Sequence, residues 1–508
     1  MRAVASLTLF LLISCGRQGR ESTFVIVNAS IIDGSGTART SGGVRVRGDV
    51  IAEVGALTPA RGERVVDARG LVLAPGFIDT HSHADGDLRD DSTALGAVSQ
   101  GITTVVGGQD GGSQPSLAAW FAALDSNPAP VNVASYAGHG SIRYRVMGED
   151  YRRAATAAEV DSMRLLLRAE LAAGALGMST GLEYDPGIYS SYDELLALTK
   201  ETAAAGGRYI SHIRSEDFAF WKAIDEIIRL GREARVPVQV SHIKLAMRDL
   251  WGHADSLIGV LNAARASGVD ITADIYPYLY WQSTLTVLFP KRDFANRASA
   301  SFALTQTTTP GGLLVSRYRP HPEYEGKTLA EVAKSRGVDS VTALIDLIAD
   351  AERMRKALPA DSAETVTVES IIATSMVEGD VAAMMKWPHT NFCTDGALTG
   401  RHPRGFGSYP RILGRYVREQ GVMSLEEAIR KSSALAATHM GLANRGTIAA
   451  GQKADLVLLD PATIIDRATP RAPHEVSTGV SRVWVNGVEV FADGRATGAK
   501  AGQVLRRR

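Results

Sequence analysis

Phe77-Ile78-Asp79-Thr80-His81-Ser82-His83 is a short apolar run that ends in two histidines. Residues two apart on a strand project from the same face, so His81 and His83 aim at one point. Two imidazoles so aimed are half of a metal clamp. The same design repeats outward along the chain. Apolar runs close on Gln109-Asp110, His139, Glu183, His212, His242 and Tyr276, with steps of 27 to 44 residues between successive ends. About thirty residues is the length of one strand with its crossover helix. Helical text fills the gaps, as at Val160, Met163, Leu167 and Leu171. An eighth run, Asn391-Phe392-Cys393-Thr394-Asp395, follows after a long interval. Eight units predict an α/β fold, a (β/α)8 TIM-like barrel over residues 74–439 with an insertion near 288–369. Such a barrel carries its working groups at the carboxyl ends of its strands, where all these polar residues fall.

Both ends of the chain read differently. Val44-Arg45-Val46-Arg47 alternates, and Val483-Trp484-Val485-Asn486-Gly487-Val488 carries the Asn-Gly signal of a type I′ hairpin. Residues 23–73 and 440–508 are therefore expected to build one small sheet domain from both termini. The 508 residues hold 55 Lys+Arg against 55 Asp+Glu, are 45% hydrophobic and include two cysteines. That composition supplies a core and excludes disorder or a disulfide scaffold. Zero net charge without a basic run leaves no footprint for nucleic acid. Arg2 and the apolar run Ala3 to Ile13 are too short to span a bilayer and read as an export signal. Leu12-Ile13-Ser14-Cys15 resembles a bacterial lipobox, so residues 1–15 are expected to be a lipoprotein-type signal, with lipidation at Cys15 and residues 16–22 as a tether. The alternative is a plain signal peptide cut elsewhere. The protein is then expected in the cell envelope or periplasm, touching membrane only through its lipid. Cys393, the remaining thiol, reads as a small core filler.

His212 and His242 each close an apolar strand, and with His81, His83 and Asp395 they make a metal site. The surrounding motifs carry a resemblance. Ala74-Pro75-Gly76-Phe77-Ile78-Asp79-Thr80-His81-Ser82-His83, Ser211-His212-Ile213-Arg214-Ser215-Glu216, Ser241-His242-Ile243-Lys244, Asp274-Ile275-Tyr276-Pro277-Tyr278, Thr394-Asp395-Gly396 and His402-Pro403-Arg404-Gly405-Phe406-Gly407 all resemble the N-acyl-D-amino-acid deacylases (D-aminoacylases) of the amidohydrolase superfamily. The likeness runs from about Phe24 to Val490. It implies the barrel and a small β-sandwich made from both termini, and one or two divalent ions per chain, Zn²⁺ before Mn²⁺, Co²⁺ or Fe²⁺. One position departs from the family: its Asn-Cys-Gly, whose thiolate ligates zinc, is replaced here by Gln109-Asp110-Gly111. Strand four ends in Glu183, where many superfamily relatives carry a carboxylated lysine. The expectation is therefore His81, His83 and Asp395 on one ion, His212 and His242 on another, and Glu183 either bridging them or orienting a ligand. Asp110 stands either beside a ligand or on the metal itself.

The resemblance assigns the substrate's α-carboxylate to Lys244, Tyr276 and Arg404, with Ser283 near by but displaced by about one residue from the family's spacing. His139 either binds the scissile carbonyl or is structural. Asp395 is expected to carry a proton from water to the leaving nitrogen. The predicted enzyme is a metal-dependent hydrolase that removes the acyl group from N-acyl-D-amino acids, its partner being that small molecule or a short peptide. An exported dipeptidase for D-residue peptides or wall fragments, or a cyclic amidase or lactonase, would use the same barrel. A non-catalytic envelope binding protein would have lost ligands, and His81, His83, His212, His242 and Asp395 are all present. The insertion reads as a lid or a dimer contact, and no residue pattern marks the oligomeric state.

Overall fold

The computed structural model describes residues 23–88, 91–358 and 366–507, so the export signal, the tether and Cys15 lie outside the described residues. Five strands open the chain: β1 (Thr23–Ile31), β2 (Thr40–Arg47), β3 (Val50–Gly55), β4 (Arg64–Asp67) and β5 (Val72–Pro75). The barrel strands follow as β6 (Phe77–Asp79), β7 (Ile102–Gly107), β8 (Asn132–Ser135), β9 (Ala137–Gly138), β10 (Gly177–Gly181), β11 (Arg208–His212), β12 (Val238–Val240) and β13 (Ile271–Ile275). Then come β14 (Tyr280–Ser283), β15 (Leu313–Tyr318), β16 (Glu369–Thr374) and β17 (Thr390–Phe392), and the chain ends with β18 (Leu456–Leu459), β19 (Val480–Val485), β20 (Val488–Ala492) and β21 (Arg495–Ala496).

The barrel forms as two parallel arcs, β6-β7-β8 and β9-β10-β11-β12-β13-β17. β8 and β9 are one strand interrupted at Tyr136, which makes eight staves. Covered on both faces, these strands are buried almost throughout, as β7 is at every residue. The circle closes where Ser82 bridges Gly396, where the Asp395 amide donates to the His81 carbonyl at 2.8 Å, and where the His83 amide donates to the Gly396 carbonyl at 2.9 Å. The helix Ala157–Ala172 packs Met163, Leu167 and Leu171 inward, as their spacing predicts.

The nine-stranded sheet β21-β20-β19-β18-β5-β1-β2-β3, with β4 on β1, is the β-sandwich made from both termini. It folds over its own core of Phe24, Ile26, Val44, Val46, Leu456 and Trp484. Asn486 and Gly487 turn β19 into β20 with φ of 48° and 78°, the left-handed pair that a type I′ turn needs.

The tail beyond β21, expected within the sandwich of residues 440–508, instead lies along the barrel. Val504 pairs in parallel with Val133, the Val133 amide donates to Gln503 at 2.9 Å, and the Leu505 amide donates to Val133 at 2.7 Å. The tail thus takes the side of β8 that β10 would otherwise pair. Arg507 then caps the carbonyls of Leu171, Ala175 and Ala205.

The insertion is an antiparallel sheet, β14-β16-β15, with helices Arg297–Phe302, Leu329–Arg336 and Ser340–Ala357. It runs from 280 to 374, wider than the 288–369 read from sequence, because its two outermost segments, Tyr280–Ser283 and Glu369–Thr374, pair with each other across the whole insertion.

A buried polar knot ties sandwich, barrel and tail together. Arg445 pairs with Asp455 and donates to Asn486 and Gln503; Asn132 of β8 donates to Asp455 at 3.2 Å; Asn486 donates to Asn132 at 2.7 Å. Removing one partner of a buried pair leaves the other charge uncompensated. Arg445→Met is expected to lower unfolding free energy by about 3–5 kcal/mol, read by urea denaturation.

Candidate metal centre

The site begins with the turn after β7. Gly108 has φ of 68°, and a Cβ there would come within 2.1 Å of the Tyr136 carbonyl oxygen, so only glycine fits. The Gln109 side chain donates to the Thr80 and Val106 carbonyls, at 3.0 Å each, and pins the turn. Asp110 follows with φ of 52°, which swings its carboxylate over the barrel axis. His242 and Asp395 are also left-handed, with φ of 34° and 50°. Such conformations cost of order 1–3 kcal/mol each and persist where surrounding contacts enforce them, commonly at working sites.

Three groups of donors result. His81, His83, Asp110 and Asp395 each offer an atom, all within 4.8 Å of one another, and Asp110, His212 and His242 do the same, as do Glu183, His212 and Glu216. Asp110 belongs to the first two. Its Oδ1 lies 3.4 Å from His81 Nε2 and 3.5 Å from His242 Nε2, while its Oδ2 lies 3.5 Å from His83 Nε2. Asp395 Oδ1 stands 3.2 Å from His83 Nε2, and His212 Nδ1 stands 2.9 Å from His242 Nε2.

Behind three of the imidazoles stands a carboxylate on the far ring nitrogen. Glu183 lies 2.9 Å from His212 Nε2, Glu216 3.1 Å from His242 Nδ1, where the Lys244 Nζ also stands at 2.7 Å, and Asp274 3.8 Å from His81 Nδ1. At hydrogen-bonding distance, as for His212, such a carboxylate fixes a ligand's tautomer and raises its basicity. This corrects the bridging role expected of Glu183. Its carboxylate meets the back of His212 and the Glu216 amide, and it joins His212 and Glu216 rather than His81, His83 or Asp395. The shared position falls to Asp110.

The donors suit a cation. His81 is fully buried with neither ring nitrogen hydrogen-bonded, and Asp110 Oδ1 has no partner either. Buried polar atoms are normally paired, so His81 Nε2 and Asp110 Oδ1, 3.4 Å apart, await a ligand. Burial works against the charge of every group here, yet the neighbours win. His81 and His242 hold the Asp110 carboxyl well below its ordinary range, and Arg404, ahead of the histidines, does the same for Asp395. In return Asp110 and Asp395 push His83 up to about 10, and Asp110, Glu216 and Asp395 push His242 up to about 10. The cluster demands positive charge, and imidazole with carboxylate suits Zn²⁺ first.

Above the donors opens a cavity of about 650 Å³ whose walls include Lys244, Arg404 and Ser283. Lys244 donates to Glu216 at 2.7 and 2.9 Å, and Arg404 donates to Asp395 at 2.6 Å. Tyr276 is buried beneath both, its ring centre 5.7 Å from the Lys244 Nζ and 5.0 Å from the Arg404 guanidinium carbon. His139 does not reach this cavity. It opens the helix His139–Met147 and turns into the helical layer, where its Nε2 lies 2.8 Å from Glu194, which also takes Arg143. Cys393 is buried and donates to Asp274 at 3.3 Å; burial raises its thiol well above the ordinary range, as befits a core filler. The sequence reading gave no role to Glu216, Asp274 or Tyr184. Glu216 and Asp274 sit inside quoted motifs and Tyr184 follows Glu183, but nothing local says that Glu216 turns back to His242 or Asp274 to His81. Asp110→Ala removes a donor from both of its groups, so metal analysis of the purified variant is expected to fall from about two ions per chain to one or none. Glu183→Ala is expected to keep its ions but bind them about 10–100-fold more weakly.

A family model described as an amidohydrolase family matches residues 64–491. The N-acyl-D-glutamate deacylase of Alcaligenes xylosoxydans xylosoxydans is 36% identical, covering 95% of this chain and 96% of its own. The crystal structure of an N-acyl-D-glutamate deacylase from Bordetella bronchiseptica, complexed with zinc and a phosphonate that mimics the reaction's tetrahedral intermediate, superposes with a TM-score of 0.83 at 35% identity, over 95% of this chain and 99% of that one. A D-aminoacylase structure with a binuclear metal centre superposes equally well, with a TM-score of 0.83 at 33% identity and the same coverage. With its barrel, its sandwich and its clustered donors, the chain belongs to the amidohydrolase family, in the branch of the N-acyl-D-amino-acid deacylases.

Proposed function

We propose that this protein hydrolyses the amide bond of N-acyl-D-amino acids, with His81, His83, Asp110 and Asp395 holding one divalent ion and Asp110, His212 and His242 a second. The observation that carries this reading is the pair of donor groups sharing Asp110 at the floor of a cavity that also holds Arg404 and Lys244. Bound there, the metal supplies Lewis acidity that polarises a carbonyl and acidifies water. Asp395 is ionised beside Arg404, so its carboxylate accepts the proton of the attacking water and passes it to the leaving nitrogen. Arg404 offers a planar fork to the substrate's α-carboxylate, with Lys244 as the second cation of the cavity. The Tyr276 ring steadies both cations from below. Glu216 and Glu183 hold His242 and His212 in the orientation that metal binding requires.

Asp395→Asn is expected to lower kcat on an N-acyl-D-amino acid by about 10²–10⁴-fold, with the L-isomer a poor substrate throughout. Ligand binding by the same variant that matches the unchanged protein, together with no turnover by either, would instead favour a binding protein.

We propose also that the chain is exported and held at the membrane by lipid on Cys15, which rests on Arg2, the apolar run Ala3 to Ile13 and the Leu12-Ile13-Ser14-Cys15 motif. Cell fractionation is expected to find the protein with membranes and Cys15→Ala in the soluble fraction. Membrane association unaffected by the substitution would rule out the lipid anchor.

A further inference from the structure

A second cavity, about 970 Å³ against about 650 Å³ for the first, shares Tyr184, Ser283 and Val287 with it as common walls. Its remaining walls come from the insertion's long helix, Ser340–Ala357, from the insertion's first segment at Thr284 to Ala295, and from the barrel loops that carry Tyr151 with Arg152 and Asp185 with Tyr189. The two cavities have opposite chemistry. The first is lined by six carboxylates, those of Asp85, Asp110, Glu183, Glu216, Asp217 and Asp395, against the permanent cations Lys244 and Arg404. The second is lined by five cations, Arg152, Arg292, Arg353, Arg355 and Lys356, against Asp185 and Glu352.

Three of those five are taken. Arg292 holds Asp185 at 3.0 Å and the Glu183 carbonyl at 3.0 Å, Arg355 pairs with Glu352, and Arg353 pairs with Asp350. Arg152 is 63% exposed in its side chain, donates to the Tyr151 hydroxyl at 3.0 Å over that ring, and stands 3.9 Å from an Asp185 that Arg292 already neutralises. Lys356 is exposed across the groove. Tyr151, Tyr189 and Phe294 supply aromatic surface between these cations, the two tyrosine rings 6.0 Å apart. An elongated ligand with an apolar stem and an anionic end matches this arrangement.

The first cavity says which part of the substrate would reach it. Arg404 stands at the Asp395 end of the donors, and the Tyr184 hydroxyl lies 3.2 Å from His212 Nδ1 at the other end. A chain anchored by its α-carboxylate at Arg404, with its amide over the donors, leaves past Tyr184 and enters the second cavity with its acyl half. We infer that this cavity is a subsite for the acyl portion, selecting extended acyl groups that carry a carboxylate beyond the scissile amide, as dicarboxylic and acidic aminoacyl groups do. The inference rests on the deacylase reading for its orientation.

The test uses the purified metal-loaded chain and three derivatives of one D-amino acid, N-acetyl, N-hexanoyl and N-adipoyl, the last two differing only in the terminal carboxylate. Dissociation constants from calorimetry are measured beside kcat/KM. The N-adipoyl compound is expected to bind and react about tenfold better than the N-hexanoyl one, and Arg152→Gln with Lys356→Gln is expected to bring that ratio near one while thermal unfolding stays unchanged. Equal values for the two compounds, or a preference that survives the double substitution, would overturn the subsite. Selective binding of the N-adipoyl compound without hydrolysis of any derivative would support the subsite and sink the deacylase reading.

Discussion

The site depends on the seam where the barrel closes. Two backbone hydrogen bonds, Asp395 to His81 and His83 to Gly396, join the last stave to the first. The residues that make the seam are themselves donors, so closing the barrel and assembling half of the centre are one event. Asp79 reinforces the seam by accepting from the Thr394 amide at 2.8 Å and its hydroxyl at 2.6 Å, and burial raises its carboxyl to about 6. A barrel that failed to close would scatter His81, His83 and Asp395 across more than three hundred residues of chain.

Around that seam the charges arrange themselves by a simple rule. His212 and His242 find their far nitrogens answered by Glu183 and Glu216, Asp274 stands 3.8 Å behind His81, and His83 lies partly open to the cavity. Asp110 is the group without such a duty. Set in the middle by a left-handed turn behind an obligatory glycine, it faces three histidines at once. A carboxylate has two oxygens to share, which is how one side chain can face both sets of donors.

The rest of the molecule holds this arrangement in place and shapes access to it. The knot of Arg445, Asp455, Asn486 and Asn132 locks the sandwich against the barrel, and the tail at Gln503 to Arg507 completes the barrel's wall beside β8. The insertion adds its own sheet and helices on the working side, and the loop from Ser283 to Val287 divides two cavities of opposite charge. Chemistry sits in the acidic chamber; the basic one offers length.

The barrel, the sandwich from both ends and the donors His81, His83, His212, His242 and Asp395 follow from sequence alone, because each depends on a local period: strands of fixed length, polar residues at their ends, an Asn-Gly between apolar runs. The tertiary structure alone decided which carboxylate stands at the centre. Asp110 and Glu183 both end barrel strands, and only the left-handed turn at Gly108–Asp110 and the direction in which His212 presents its two nitrogens separate the shared ligand from the supporting one. The pairing of Glu216 with Lys244, the turning away of His139 to Glu194, the tail beside β8 and the second cavity likewise join residues distant in the chain. A single sequence carries the period of each element but not the direction in which a side chain turns once neighbouring elements surround it.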